Sequence, residues 1–468
     1  MLSKKYHFVG IGGIGMGTLA SLILAKGQRV SGSDIQESAM VALLREKGAS
    51  IFIGHDEKNV HDPDFVIYSS AISQDNPELE SAKNKNIPIL RRAELLAQLM
   101  DDHIGITVAG AHGKTTTTSM ISCLLIQAGL KPTTAVGGII SGGASYNATL
   151  GEGRYFISEV DESDGSFLNF RPFYSVITNV DFEHVDYYHT WENILGAYQD
   201  FIAKTQPGGC VFVCGDDIRL KKLVSESGRN YLTYGFLADN DIVASEIRQD
   251  DHFPPRKYST EFQCFVRGRK LGEVGLFVPG KHNVLNALAT IGMALQLNID
   301  FSIVRESLAN YRGVNRRFQC KGEVDGIVVI DDYGHHPTEI AATLQAAQKV
   351  KRGRLITVFQ PHRYTRTQHL MKEFAESLLA NDILIVTDIY AASEPAIEGV
   401  SSKELCDRIV KHGKKDVVYL SKEKIVEYLT QIAKPDDLIL TLGAGDVTKI
   451  GDQLIAALNV KKADPVRH

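Results

Sequence analysis

The residues best suited to chemistry in this chain lie in Gly110-Ala111-His112-Gly113-Lys114-Thr115, with Thr116 following. This segment comes after an apolar strand beginning at Ile104 and opens a helical stretch from Thr115 to Ala128. A glycine-containing loop between strand and helix turns backbone N–H groups and the positive helix end toward one concavity, which suits an anion. Lys114 is placed there to bridge the β- and γ-phosphates of a nucleotide, and the Thr115 hydroxyl to hold Mg²⁺. An ordinary phosphate loop carries its first glycine where this chain has Val108, so the loop is a shortened variant. The bland alternative is a glycine turn before a threonine-rich cap; binding of a nucleoside triphosphate is the preferred reading.

A second group is Glu159-Val160-Asp161-Glu162-Ser163-Asp164, four carboxylates at a strand end. Such a cluster repels itself unless a cation neutralises it, which points to Mg²⁺, the alternative being a solvated acidic turn. Asn179 to His189 adds Asp181, Glu183, His184 and Asp186 after another strand, with His184 as a second metal ligand. Near the N-terminus, Gly10-x-Gly12-x-x-Gly15 sits between strand and helix, and Asp34 lies 19 residues beyond Gly15. This is the dinucleotide fingerprint, in which glycines admit a diphosphate and the acid binds a ribose; a tight packing turn is the competing account. His282, Asn283 and Asn286 straddle a helix start and could equally be caps. Asp331-Asp332-Tyr333-Gly334-His335-His336-Pro337 and Gln360-Pro361-His362-Arg363-Tyr364-Thr365-Arg366-Thr367 end two later strands, and the arginines suit carboxylate or phosphate. Gly443-Ala444-Gly445-Asp446 ends the final strand and is a weaker candidate.

These groups need strands to carry them, and the chain alternates strand and helix signals throughout, which implies parallel sheets with right-handed crossovers. Strands are expected at Tyr6–Val9, Arg29–Ser31 and Asp64–Tyr68, with helices at Met16–Ala25, Met40–Lys47 and Ala93–Leu99 between and after them. New α/β blocks begin near Ile104 and near Gly313. The reading is therefore three α/β domains, 1–103, 104–312 and 313–468, and nearly every motif falls at a strand's carboxyl end, where open α/β sheets bind ligands. The 468 residues are 44% hydrophobic and 23% charged, with 51 Lys and Arg against 56 Asp and Glu. A net charge of -5 excludes a generally basic nucleic-acid coat and a polyacidic tail. Six scattered cysteines, with Cys210 and Cys214 too far apart for a CxxC site, read as reduced thiols. Glycines interrupt the apolar N-terminal stretch and no run of 18 apolar residues occurs, so a cytoplasmic protein without a membrane span is expected.

In order along the chain, HFVGIGGIGMG, GAHGKTTTT, EVDESDGSF, TNVDFEHVD, GKHNVLNALA, RRFQ, DDYGHHPTE and QPHRYTRT resemble the motifs of the Mur ligase family, the ATP-dependent amide-forming enzymes of peptidoglycan precursor synthesis. The resemblance covers essentially the whole chain. It implies a Rossmann-like N-terminal domain binding a UDP substrate, a central phosphate-loop ATPase domain with a mostly parallel sheet, and a C-terminal Rossmann-like α/β domain closing over ATP and the amino acid. It implies UDP-N-acetylmuramate and L-alanine as substrates, ATP and Mg²⁺ as cofactors, and an acyl-phosphate intermediate; oligomeric state stays open.

The same resemblance implies roles for residues. Lys114 contacts the phosphates, Thr115 and Glu159 hold the first Mg²⁺, and His184 serves the second. Asn283 and Asn286, beside His282, contact adenine; Arg317 neutralises the γ-phosphate and Asp332 holds the ribose. His335, Arg363 and Arg366, with Tyr333, position the acyl phosphate or a substrate carboxylate. Gly12, Gly13, Gly15, Asp34, Ser69 and Ser70 cradle the UDP portion, so the first fingerprint holds a uridine diphosphate and not NAD. The family's acidic segment before the histidine reads Val180-Asp181-Phe182-Glu183-His184 here, which leaves the role of Glu183 open, and no lysine between Ser163 and Leu195 could serve as a carbamylated ligand. Two alternatives remain in the enzyme class: a recycling ligase that attaches a preformed tripeptide to the same UDP-sugar, and an NAD-dependent oxidoreductase. A non-catalytic nucleotide-dependent binding module is the third.

Overall fold

The strand Lys5–Val9 and the helix Ile14–Ala25 set the pattern that recurs through the molecule. The helix is apolar nearly all round, and Met16, Leu19, Ala20, Leu22 and Ile23 are buried as that composition demands. In a computed structural model of the chain, the residues described are 3–138, 140–141, 148–250, 254–255, 258–392 and 394–463. By contacts they fall into two units, Met1–Ser245 with Cys264–Gly272 and Leu285–Leu308, and Glu246–Gln263 with Glu273–Val284 and Ala309–His468.

The first unit opens with a five-stranded sheet, parallel throughout, in the order Ser50–Ile53, Arg29–Asp34, Lys5–Val9, Phe65–Tyr68, Ile89–Arg91. The chain reverses its direction of strand addition between Lys5–Val9 and Phe65–Tyr68. The loops beyond Val9 and Tyr68 therefore leave neighbouring carboxyl ends and border the crevice where such sheets bind ligands. A second sheet has ten strands among the described residues; the seven that lie wholly in this unit run Tyr231–Gly235, Cys210–Cys214, Tyr174–Ile177, Ile104–Ala109, Tyr155–Glu159, Thr133–Ala135, Ala148–Thr149, antiparallel among themselves only at the last pair. Its central strands are buried along nearly their whole length, as strands covered on both faces must be. The sheets are separate, yet Phe8 and Leu19 share one apolar cluster with Phe156, Phe167 and Ile202. The two blocks read from the sequence are thus joined by a common core.

The second unit carries a six-stranded sheet in the order Gln319–Val324, Ile327–Asp332, Leu438–Leu442, Leu355–Phe359, Ile383–Val386, Val417–Tyr419, with only the first strand antiparallel. Its two faces bury separate clusters, one around Phe359 and Phe374, the other around Val358 and Leu454. The chain is a three-domain α/β protein, as expected. The expected strands and helices recur with ends moved by one to three residues, whereas the strands Ser50–Ile53 and Ile89–Arg91 and the helix Pro77–Asn84 have no counterpart in the sequence reading. The two strands are sheet edges of three or four residues, too short to show a period. No helix among the described residues is long and apolar enough to cross a membrane. Phe359 is fully buried and touches Phe374 at 5.6 Å between ring centroids. Phe359→Ala should cost about 3–5 kcal/mol, read from urea unfolding of the variant against the parent chain.

Candidate active site

Register pairs Ile177 with Ala109, so Thr178 and Asn179 leave their strand beside the loop that begins at Gly110. They bind that loop from the side. The Asn179 side chain accepts from the His112 N–H at 2.9 Å and donates to the His112 carbonyl at 2.9 Å, and the Thr178 hydroxyl donates to the same carbonyl at 2.6 Å. Gly110 has φ +127°, and a Cβ there would lie 2.2 Å from the Thr178 hydroxyl oxygen; Gly113, at φ +81°, would place one 2.8 Å from Asn286 Oδ1. Only glycine fits both places.

Lys114 is the first residue of the helix Lys114–Gln127. Its Nζ donates to the Gly110 carbonyl at 2.6 Å, the Ala111 carbonyl at 3.3 Å and Glu162 Oε1 at 2.8 Å. Burial opposes its charge, but Glu162, Asp161 and Glu183 outweigh burial and hold the ammonium above its ordinary range. The Thr115 hydroxyl donates to Glu159 Oε2 at 2.7 Å, and the Thr117 hydroxyl donates to Asn286 Oδ1 at 3.0 Å.

Glu162, only 3% exposed, is the hub of the acidic group, a role the sequence reading does not single out within that run. Besides Lys114, its Oε1 lies 3.6 Å from His184 Nε2, and that nitrogen lies 3.8 Å from Glu183 Oε2. Glu162 Oε2 is buried and has no hydrogen-bond partner among the described residues. Ligand atoms of Glu162, Glu183 and His184 all lie within 4.8 Å of one another, a spacing one cation could span. Burial opposes protonation of His184, but Glu162 and Glu183 raise its pKa above the ordinary value. Asp181 turns instead to His112 Nε2 at 3.1 Å. The Asp186 side chain lies outside the described residues.

At the N-terminal crevice, Asp34 Oδ2 accepts from the Gly12 N–H at 2.8 Å, so this acid anchors the glycine loop directly. Ser69 is half-buried and Ser70 exposed at the end of the adjacent strand. Arg92, which no motif signalled, lies with Nη1 3.3 Å from where a Gly15 Cβ would sit. Asp161 is pushed up by burial and then brought below the usual carboxylate range by Lys114, by hydrogen bonds from Ser163, and by Arg92.

In the second unit, Asp332 is buried and its carboxylate accepts from the Phe318 and Gly334 N–H groups at 2.8 Å each and from the Thr343 hydroxyl at 3.1 Å. Burial raises its pKa. Arg317 reaches Glu339 at 3.4 Å and lies over the Tyr333 ring at 5.3 Å. Its neighbour Arg316, which the sequence reading includes in RRFQ without giving it a role, donates to the carbonyls of Gly443 at 2.6 Å and Gly445 at 3.0 Å. His335 stands 5.8 Å from His362 between ring centroids, and Arg366 Nη1 lies 3.3 Å from His362 Nδ1. Arg363 has φ +71° and is half-exposed near Glu394, a backbone strain typical of residues held for a purpose. Asn283 is buried and donates to the Pro279 carbonyl at 2.7 Å, while His282 is exposed.

Comparison with known proteins places these features in context. Residues 5–104 match the Mur ligase family, catalytic domain, residues 108–294 the Mur ligase middle domain, and residues 316–445 the Mur ligase, glutamate ligase domain. The UDP-N-acetylmuramate–L-alanine ligase of Geotalea daltonii is 44% identical over 456 residues, covering 97% of this chain and 98% of that protein. The protein of the same name from Pelotomaculum thermopropionicum is 46% identical over 461 residues, with 97% and 98% covered. The crystal structure of UDP-N-acetylmuramate-alanine ligase from Thermotoga maritima superposes with a TM-score of 0.83 at 30% identity, over 98% of this chain and 100% of that one. A murein peptide ligase from Psychrobacter arcticus shares the fold, with a TM-score of 0.72 at 24% identity over 97% and 99% of the two chains.

The paired imidazoles of the second unit generate a pH prediction. Burial, joined by nearby arginines, pushes His335 down to about 4 and His362 down to about 3. An unfolded chain protonates imidazole near about pH 6.5. From there down to roughly pH 4 the unfolded chain takes up protons that the folded one refuses, so stability falls as pH falls. His335→Gln should remove up to about 1.4 kcal/mol per pH unit of that slope, measured as unfolding free energy between pH 6.5 and 4.5.

Proposed function

The chain belongs to the Mur ligase family, and from that premise we propose that it joins L-alanine to the lactyl carboxylate of UDP-N-acetylmuramate at the expense of ATP. The products are UDP-N-acetylmuramoyl-L-alanine, ADP and phosphate, a step of peptidoglycan precursor synthesis. The observation that carries this reading is 44–46% identity, over 97% of the chain, to ligases of that name. An oxidoreductase leaves Lys114, Arg363 and Arg366 without a role. A cytoplasmic location suits an enzyme that consumes ATP.

A carboxylate is a poor acylating agent, so it must first be activated. The lactyl carboxylate oxygen attacks the γ-phosphorus of ATP, the bond to the ADP oxygen breaks, and an acyl phosphate forms. The unprotonated amine of L-alanine then attacks the acyl carbon, phosphate leaves, and the nitrogen sheds its proton. Both steps depend on alignment and charge neutralisation more than on covalent help from the protein.

Lys114 would exchange its contact with Glu162 for the ATP phosphates, and Gly110, Ala111, His112, Gly113, Thr115 and Thr116 would line the loop. The residues suit a divalent cation, because the buried Glu162 Oε2 has no partner beside His184 and Glu183. Thr115 and Glu159 would hold one Mg²⁺ and His184 a second, with Glu162 added beside His184, and Mg²⁺ there would neutralise phosphate charge. Asn286 and Asn283, beside His282, would face adenine. Asp332 already accepts three internal hydrogen bonds, and a carboxylate accepts roughly four, so one ribose hydroxyl would complete it. Arg317 would meet the γ-phosphate, and His335, Arg363 and Arg366, with Tyr333, the acyl phosphate or a substrate carboxylate. Gly12, Gly13, Gly15, Asp34, Ser69 and Ser70 would take the UDP portion.

The deciding experiment is phosphate release from MgATP with UDP-N-acetylmuramate, with L-alanine or a murein tripeptide added in parallel. Release that requires L-alanine and yields the alanyl product is expected; dependence on the tripeptide instead would overturn the assignment. Lys114→Ala should lower kcat by about 10²–10³-fold, the scale of losing one well-placed charge-stabilising donor. Near-normal turnover would refute its role. Arg366→Ala should slow amide formation about as strongly while the ATP KM stays within about twofold, because its charge serves the acyl or amino-acid end.

A further inference from the structure

The strand Lys5–Val9 sends Tyr6 and Phe8 into the main core of the first unit and Val9 to its other face, against Leu79 and Ala82 of the helix Pro77–Asn84. His7 alternates onto that second face with Val9, and register pairs it with Ser31 and pairs Val9 with Ser33. A face packed between sheet and helix calls for apolar side chains. This one instead holds an ionisable network centred on Glu78, which is fully buried.

Fully buried glutamates are rare unless paired, and this one is saturated. Its Oε2 accepts from the Ser33 hydroxyl at 2.6 Å and lies 3.3 Å from His7 Nε2; its Oε1 accepts from Asn59 Nδ2 at 2.6 Å and from the Asp56 N–H at 3.3 Å. His55 Nδ1 stands 2.9 Å from the same Ser33 hydroxyl, and His7 Nδ1 stands 2.9 Å from the Ser31 hydroxyl. Burial alone would raise the Glu78 pKa, but the hydrogen bonds from His7, Ser33 and Asn59 bring it below the ordinary value. The carboxylate therefore stays ionised inside the protein.

The network meets the glycine loop at Ser33. The Ser33 carbonyl accepts the N–H groups of both Gly10 and Ile11 at 2.9 Å, and the next residue, Asp34, accepts the Gly12 N–H at 2.8 Å. Three consecutive loop N–H groups are thus pinned by two residues, and one of those is fixed from below by Glu78.

We propose that Glu78, acting through the Ser33 hydroxyl, is a positioning residue for the glycine loop and so sets the affinity for the UDP-bearing substrate without touching it. This rests on the reading that Gly12, Gly15 and Asp34 receive the UDP portion. A loop free to shift by a fraction of an ångström would mis-aim its N–H groups at a diphosphate, and hydrogen bonds weaken steeply with misalignment. The effect belongs to binding of one substrate, whereas a purely structural network would affect every step alike.

The test compares Ser33→Ala, Glu78→Gln and Asp34→Ala in the full chain. KM and kcat are measured for UDP-N-acetylmuramate, ATP and L-alanine, and UDP binding is measured by calorimetry. Ser33→Ala removes a single hydroxyl and carries the test if Glu78→Gln fails to fold. Expected is an approximately tenfold rise in the KM for UDP-N-acetylmuramate and in the Kd for UDP, with kcat and the ATP KM within twofold of the parent. If Asp34→Ala raises that KM and Ser33→Ala does not, the positioning role of Glu78 falls and the loop assignment stands. If Asp34→Ala also leaves it unchanged, the loop does not receive UDP and both fall. A parallel loss in kcat and in all three KM values would mean general destabilisation and would equally overturn the proposal.

Discussion

A cation at the first residue of a helix lies against the positive end of the helix dipole, and burying it adds a desolvation cost. Lys114 bears both costs, and the central site follows from how they are met. Its ammonium takes two loop carbonyls and the carboxylate of Glu162, itself 3% exposed. Burying the Glu162 carboxylate there in turn calls for nearby positive charge and fixed geometry. The Tyr188 hydroxyl holds the Glu162 carbonyl at 2.5 Å, and His184, with its pKa raised, stands beside the carboxylate. The glycines at 110 and 113 then become obligatory, because the loop must turn tightly enough to bring its carbonyls onto the lysine.

This arrangement constrains what a nucleotide can do on arrival. A triphosphate would add several negative charges to a pocket that already holds Glu159, Asp161, Glu162 and Glu183, against one lysine. Phosphate can compete for Lys114 only if the displaced carboxylates acquire another cation, and the orphaned oxygen of Glu162 is where such a cation has an unused donor. On the proposed function, a nucleotide and a cation would then be coupled through Glu162, as counter-ion to Lys114 in one case and as a metal ligand in the other.

Much of this was legible in the sequence, because the residues that signal it are contiguous. The phosphate loop, the acidic strand end and the glycine fingerprint each occupy fewer than ten neighbouring positions, and each lies at a strand end, where pattern alone places it. What escaped reading were partners brought together from afar. Glu162 lies 48 residues from Lys114, Asn179 lies 67 from His112, Glu78 lies 45 from Ser33, and Arg316 lies 127 from Gly443. Glu162 and Asn179 sit in runs that the sequence does signal, but their partners are set only by the fold, while Glu78 has no local signature at all. Glu78 lies in a stretch that the sequence reading assigns to no element, and Arg316 is one of two adjacent arginines, of which the motif drew attention to the other. The short strand Ser50–Ile53 was missed for a different reason, since four residues at a sheet edge show no period.

The polar side chains at strand ends also do a different job from the one their types suggest. Asp34, Asn179 and Asp332 were striking as residues able to face a ligand, or lay next to such residues, yet each first holds a loop. Asp34 takes the Gly12 N–H, Asn179 takes the His112 N–H, and Asp332 takes those of Gly334 and Phe318. The buried Asp331 adds a further case, accepting from two threonine hydroxyls while Arg316 clamps the glycine loop beyond the neighbouring strand. A loop at the carboxyl end of a parallel sheet has backbone groups that the ladder no longer satisfies, and an acceptor at the end of its own or the adjacent strand is the nearest source of order. A polar side chain at such a position is therefore selected first by the loop. Any contact with a ligand uses the lone pairs left over, and whether a strand-end acid binds substrate depends on how many of its acceptor sites the protein has already taken.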